Sequence, residues 1–298
     1  MEYPILKNTT HGVNIGIFIG LMIFGTLFGS ILAIAINLVG GISVTSLTGM
    51  RIIQICSQLC MFVFPPIIYA MLTKKKPIAS LGFRKIPSWS VIVILTIFIA
   101  LPVISDLTEW NEGWTLPESM ETIESLLKEM QNSASQTMEI MLSVNGLSGL
   151  ILNLFMIAVL AAFGEEMLFR SLLQPFFIRI CKNAHIGIIL TAIIFSAAHF
   201  EFYGFIPRIV LGLILGYSFY YSGSIWIPMI MHFLNNATVV VLYYIDYNGI
   251  ASVDIESFGS TDNVFILIGS IVLMITIFVF MNNFKNKEKR LSDKNGKA

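Results

Sequence analysis

Long apolar segments make up most of the chain, and they constrain its fold more than any other feature. Eight of them lie approximately at 12–38, 52–73, 88–105, 147–177, 186–201, 206–222, 225–245 and 263–283. A helix needs about 20 apolar residues to cross the hydrocarbon core of a bilayer. Only 12% of the 298 residues are charged, about half the share that is usual in soluble domains. The sequence therefore predicts an all-α, polytopic integral membrane helix bundle with about eight transmembrane helices.

The basic residues predict the orientation of this bundle. Fourteen of the 18 lysines and arginines lie in four places: the N-terminus, the second loop, the loop at 179–182 and the C-terminal tail. Since cytoplasmic loops are enriched in lysine and arginine, both termini are predicted to be cytoplasmic, in a bacterial plasma membrane. Acidic residues collect instead in segments 106–140 and 246–262. The first apolar segment is predicted to be a retained span, and the net charge of zero gives no indication of nucleic-acid binding.

The chain divides into three predicted parts. Residues 1–145 form N-terminal membrane helices with an outer amphipathic helix near 119–144, residues 146–245 form a core, and residues 246–298 form the last span and a basic tail. Two small-residue pairs, Gly25 with Gly29 and Gly212 with Gly216, predict close helix packing. A kink is expected in the second span at Pro65.

Three polar fragments interrupt the apolar segments of the core. They contain Glu165, Glu166 and Arg170; then Phe195 and His199; then His232 and Asn236. A charged side chain at the centre of a bilayer costs roughly 2.5–3.5 kcal/mol on insertion scales. Such a cost indicates a site inside the bundle, and a carboxylate pair with two histidines and an asparagine suits hydrolysis.

Helical spacing predicts different roles for the two glutamates. Glu166 and Arg170 are four residues apart, so they share a helix face and can form an ion pair. Glu165 points about 100° away from Glu166 and remains able to face a cavity. A carboxylate without a cationic partner in a low-dielectric site is suited to act as a general base.

The other two fragments supply histidines and an amide. Glu165 and His199 can hold and deprotonate a water molecule. His232 and Asn236, also four residues apart, can stabilise the tetrahedral intermediate. In a metal-dependent variant, Glu165, His199 and His232 would hold zinc, although the preferred mechanism requires no metal. Taken singly, each fragment also fits a structural role as an interhelical hydrogen bond or ion pair.

Together the fragments resemble the signature of the CAAX protease and bacteriocin-processing (Abi) family of intramembrane endopeptidases. The resemblance covers about residues 150–245, and the family's common glycine after the arginine is Ser171 here. It implies that Glu165, Glu166, Arg170, His199, His232 and Asn236 form a catalytic site. It also implies hydrolysis of membrane-associated peptides or proteins. The alternatives are a catalytically silent bacteriocin-immunity or scaffold protein and an ion-coupled transporter.

Overall fold

The computed structural model describes residues 11–255 and 257–295, with side chains for 12–255 and 257–286. The described residues are largely helical and none of them forms a β-strand. Their principal helices are α1 (His11–Val39), α2 (Leu47–Thr73), α3 (Ser88–Glu112), α4 (Glu121–Leu142), α5 (Gly146–Cys181), α6 (Ala184–Ala197), α7 (Phe205–Ser222), α8 (Trp226–Tyr247) and α9 (Val264–Asn295). A single helical turn, Pro77–Ser80, lies in the second loop.

The predicted all-α fold is confirmed, and seven of these helices are long and apolar enough to cross a bilayer. They are α1, α2, α3, α5, α7, α8 and α9. The remaining predicted span corresponds to α6, which is apolar but has 14 residues. It is about 21 Å long, shorter than the roughly 30 Å hydrocarbon core. The basic residues Lys7, Lys287, Lys289, Arg290, Lys294 and Lys297, on which the orientation partly depends, lie outside the described side chains.

The chain folds into two compact units, each made of three chain segments. Among the described residues, the first unit contains 11–84, Gln136–Phe176 and His232–Val253. The second unit contains Lys85–Ser135, Phe177–Met231 and the residues from Asp254 onwards.

In the first unit, α1 packs closely against α2, as the Gly25/Gly29 pair predicts. A Cβ atom added at Gly29 would lie 2.8 Å from Cβ of Cys60, and one added at Gly25 would overlap the carbonyl of Cys60. Only glycine leaves room for this approach. The predicted irregularity in α2 takes the form of a π-helical turn at Gln58–Val63, immediately before Pro65. The wider turn accommodates a proline, which has no N–H for the helix ladder.

In the second unit, α7 packs against α3, α6 and α9. A Cβ at Gly212 would lie 3.0 Å from Cβ of Ala192, so the small residue again permits a close approach, here between α7 and α6. Many large side chains remain on the surface of the long helices; Phe265 on α9, for example, is 79% exposed. Exposed apolar side chains on long helices are consistent with contact to lipid.

The predicted amphipathic helix near 119–144 is present as α4, which has 22 residues. Its apolar residues Ile123, Leu126 and Met130 recur at helical spacing and are exposed. Glu124 pairs with Lys128, with the two charged atoms 2.8 Å apart. The position of α4 on the outer membrane surface stays a prediction.

Candidate functional site

The two glutamates lie in the middle of α5, between two segments of π-helix. The first segment is Leu154–Leu160, the second is Met167–Leu173, and the α-helical stretch Ala161–Glu166 separates them. π-Turns within α-helices occur frequently at functional sites, because they change the direction of side chains relative to a regular helix.

Glu166 and Arg170 form the ion pair that their spacing predicts. Nε of Arg170 lies 2.8 Å from Oε2 of Glu166, and both side chains are fully buried. Burying two charges is favourable only when each has partners with good geometry. The pair therefore places a fixed, ionised carboxylate inside the first unit.

His232, on α8, is the second partner of Glu166. Its Nδ1 atom lies 3.0 Å from Oε1 of Glu166, and its side chain is 4% exposed. An ionised carboxylate accepts hydrogen bonds only, so Nδ1 of His232 is the atom that carries the proton in this contact. Glu166 thereby fixes both the orientation and the tautomer of the imidazole.

Glu165 lies on the other side of the same imidazole. Its Oε2 atom is 3.8 Å from Nε2 of His232, and its Oε1 atom accepts a hydrogen bond from Nε2 of Gln58 at 3.4 Å. The carboxylate is nearly buried, with 10% of its side chain exposed. The two glutamates thus contact the two different nitrogens of His232, as their different directions on α5 require.

Close packing of α2 on α5 places Gln58 beside Glu165. A Cβ added at Gly164 would lie 2.9 Å from Cβ of Phe62 and 3.2 Å from Cγ2 of Val63. Gly164 is therefore a packing residue for the π-turn of α2. Two π-helical segments flank the α-helical stretch that contains Gly164.

Asn236 lies one helical turn after His232 on α8 and in the same unit. Its side-chain amide donates a hydrogen bond to the carbonyl of Ile157 at 3.0 Å. Its Oδ1 atom accepts one from the amide of Asn235 at 3.1 Å. Ile157 belongs to the first π-helical segment of α5. Asn236 therefore connects α8 to the helix that carries both glutamates.

His199 follows the end of α6 and belongs to the second unit. Its Nδ1 atom lies 2.8 Å from the carbonyl of Phe195, and the two rings are 5.0 Å apart in an edge-on arrangement. The next residue, Phe200, has a positive φ of 56°. Such a backbone conformation is uncommon for a bulky residue and is often found at functional sites. The participation of His199 in the site stays a prediction.

The zinc-binding variant requires three side chains that can ligate one metal ion. Among the described residues, no group of three or more histidine, cysteine, aspartate or glutamate side chains is arranged to hold a metal ion. Zinc binding by Glu165, His199 and His232 stays an untested alternative, and no chemical step below is assigned to a metal.

Sequence reasoning missed Gln58, which contacts the proposed base from 107 positions earlier in the chain. It is a buried polar residue in an apolar helix, which is a signal for a functional or structural role inside a membrane. The same signal applies to Asn153, on α5, which is 1% exposed.

Comparison with known proteins finds similarity over the part of the chain that contains the site. Residues 147–238 match the family model described as type II CAAX prenyl endopeptidase Rce1-like. The matched segment contains all six residues of the predicted catalytic set. The uncharacterized protein YpbD of Bacillus subtilis (strain 168) is 33% identical over 89 residues, which cover 28% of this chain and 42% of YpbD. The similarity thus spans less than half the length of that relative.

No solved structure matches the chain. The long apolar helices identify an integral membrane protein, and its residues 147–238 are similar to a family of endopeptidases. Residues 147–238 of the chain are thus similar to the Rce1-like type II CAAX prenyl endopeptidases.

Proposed function

We propose that the chain is an intramembrane endopeptidase that hydrolyses peptide bonds of membrane-associated peptides or proteins, with a water molecule activated by Glu165. The observation that supports this most strongly is the continuous series of contacts from Arg170 through Glu166 and His232 to Glu165. A carboxylate, an imidazole and a fixed second carboxylate are the groups that general acid–base hydrolysis needs.

In this proposal, Arg170 and Glu166 position His232. Glu166 stays ionised beside Arg170 and accepts the Nδ1 proton of His232. The unprotonated Nε2 atom is then directed towards Glu165. The arrangement follows the general logic of a base that is oriented by a third group.

Glu165 is the general base of the reaction. Its Oε2 atom and Nε2 of His232 are 3.8 Å apart, so one water molecule beside them can hydrogen-bond to both. Glu165 takes a proton from this water, and the resulting hydroxide attacks the carbonyl carbon of the peptide bond. Gln58 donates to the other oxygen of Glu165 and keeps the carboxylate in place.

The tetrahedral intermediate then collapses. The C–N bond breaks, and the proton held by Glu165 passes to the amine that leaves. We assign stabilisation of the oxyanion to Asn236, whose amide carries a second hydrogen besides the one donated to Ile157. His199 is assigned to holding the attacking water, and His232 shares this task with it.

The substrates follow from the setting of the site. A site among apolar helices favours peptides that are themselves associated with the membrane. We place the protein in a bacterial plasma membrane with both termini in the cytoplasm, on the basis of its lysine and arginine distribution. No metal or other cofactor is required.

Comparative proteomics of membrane peptides tests the proposal. Cells producing the wild type should contain shortened membrane peptides that are absent from cells producing Glu165→Gln. Glu139→Gln, an exposed carboxylate of α4, is the matched control and should behave as the wild type does. Identical peptide profiles for the wild type and Glu165→Gln would instead support the silent immunity or scaffold alternative.

A further inference from the structure

A second cavity, of about 400 Å³, lies in the first unit beside the N-terminal ends of α2 and α5. It is separate from the glutamate site. Its polar lining residues are Arg51 of α2, Ser143 and Asn145 from the segment before α5, and Ser148 from the first turn of α5. Leu47, Val144 and Leu152 supply apolar lining. Asn153 follows the lining residues on α5. Glu165 lies about 18 Å further along the helix axis.

Arg51 supplies the cavity with a fixed positive charge. Its Nη2 atom donates to Oδ1 of Asn153 at 3.1 Å, and Asn153 in turn donates to the carbonyl of Met141 at 2.7 Å. The Nε atom of Arg51 is buried and has no hydrogen-bond partner among the described residues. No carboxylate in the described part of the chain forms an ion pair with Arg51, so the guanidinium is held in place without a counter-charge.

The other polar lining groups can donate hydrogen bonds. Asn145 is the N-cap residue of α5, but its side chain makes no capping hydrogen bond to the first turn. The first-turn N–H groups of a helix carry partial positive charge and bind anions. The hydroxyl of Ser148 lies on the same turn and adds a further donor.

We propose that this cavity binds a phosphate group. The planar guanidinium offers several N–H donors in a fixed geometry that suits phosphate oxygens. The hydroxyl and helix N–H groups can serve the remaining oxygens. Because the cavity lies where two long apolar helices begin, the headgroup of a membrane phospholipid is the expected source, and free inorganic phosphate is the other. The proposal does not depend on the proposed peptidase activity.

The test uses the full chain, purified in a neutral maltoside detergent, and native mass spectrometry to count bound lipids. One arm titrates phosphatidylglycerol, with a diacylglycerol of the same acyl chains as the control that lacks phosphate. The second arm titrates inorganic phosphate and measures whether it displaces the lipid. Each arm compares the wild type with three variants, Arg51→Gln, Ser148→Asp and Arg179→Gln.

The variants separate loss of binding from loss of folding. Arg51→Gln removes the charge but keeps a donor for Asn153. Ser148→Asp places a carboxylate in the cavity at a first-turn position where an acidic residue stabilises a helix, so this variant is expected to fold. Arg179→Gln removes one exposed positive charge from the far end of α5 and is the matched control.

The wild type is expected to bind one molecule of phosphatidylglycerol, and the diacylglycerol should not displace it. Binding should weaken tenfold or more in Arg51→Gln and Ser148→Asp and stay unchanged in Arg179→Gln. If Arg51→Gln and Ser148→Asp weaken the binding of inorganic phosphate but not that of phosphatidylglycerol, the cavity is still a phosphate site, and its ligand is soluble phosphate. If neither ligand binds more weakly in Arg51→Gln or Ser148→Asp, or if Arg179→Gln weakens binding equally, the proposal is wrong.

Discussion

Nδ1 of His232 lies 3.0 Å from Oε1 of Glu166, although 66 positions separate the two residues in the chain. Because Arg170 holds the other oxygen of Glu166, the imidazole faces a carboxylate that is fixed and ionised. The Nε2 atom of the same imidazole faces Oε2 of Glu165 at 3.8 Å.

Glu166→Gln should destabilise the protein severely, because it leaves the guanidinium of Arg170 buried without its counter-charge. Removing one partner of a buried ion pair costs about 3–5 kcal/mol. Thermal unfolding of the purified variant measures the loss. The half-buried pair of Glu201 and Arg208 is the control, and Glu201→Gln should cost about 0–1 kcal/mol.

The double variant Glu166→Gln/Arg170→Gln extends this test. It removes both charges together, so it should be more stable than the sum of the single changes indicates. If Glu166→Gln alone were as stable as the wild type, the buried ion pair would not contribute to folding as described.

Gln58→Leu should reduce turnover about three- to tenfold with little change in the apparent affinity for substrate. The substitution removes the hydrogen bond to Glu165. Hydrogen bonds to charged groups contribute roughly 1.5–3 kcal/mol, and a smaller effect is expected here because this one is long, at 3.4 Å. Gln54→Leu, one turn earlier on the same helix, is the matched control and should keep full turnover. Equal activity of the two variants would show that Gln58 does not position the base.

Gly164→Ala should lower both stability and activity, because the added methyl would lie 2.9 Å from Cβ of Phe62. Forcing an extra methyl group into a packed interface typically costs about 1–3 kcal/mol. The matched control is Gly269→Ala on α9, where an added Cβ meets nothing within 4 Å. That variant should be neutral or slightly stabilised in the same unfolding experiment, since alanine is the better helix former.

Removal of metal ions by a chelator should leave turnover unchanged, and the purified wild type should hold no stoichiometric zinc. His232→Ala and Asn236→Ala should each lower turnover without changing metal content. The opposite pattern would be zinc that is present in the wild type and Asn236→Ala but lost from both His199→Ala and His232→Ala. That result would identify a metallopeptidase and replace the mechanism proposed here.

Local sequence patterns predicted much of the fold and part of the site. Apolar segments of sufficient length predicted the helices, since a bilayer permits few other structures. The four-residue spacing of Glu166 and Arg170 predicted their ion pair, because both lie on one helix. The small residues Gly25 and Gly29 predicted a close approach between helices, although not which helix would pack there.

Contacts between distant segments could not be predicted in the same way. Nothing in the spacing of Gln58 or Arg51 indicates the partners that they find on α5, more than 100 positions later. The π-helical turns were also missed, because they depend on how helices pack and have no residue pattern of their own. The sequence assigned His232 to the oxyanion, whereas its contacts with both glutamates favour a role beside the base.

The most direct test of the account is the rate of peptide-bond hydrolysis by purified wild type and Glu165→Gln, at equal concentrations of folded protein and with a substrate found by proteomics. Gln keeps the volume of the side chain and removes its basicity, and a positioned acid–base group typically contributes about 10²–10⁴-fold to the rate. The account predicts a loss of this size with an unchanged unfolding temperature. A folded Glu165→Gln protein with a rate within about twofold of the wild type, far below that contribution, would contradict it.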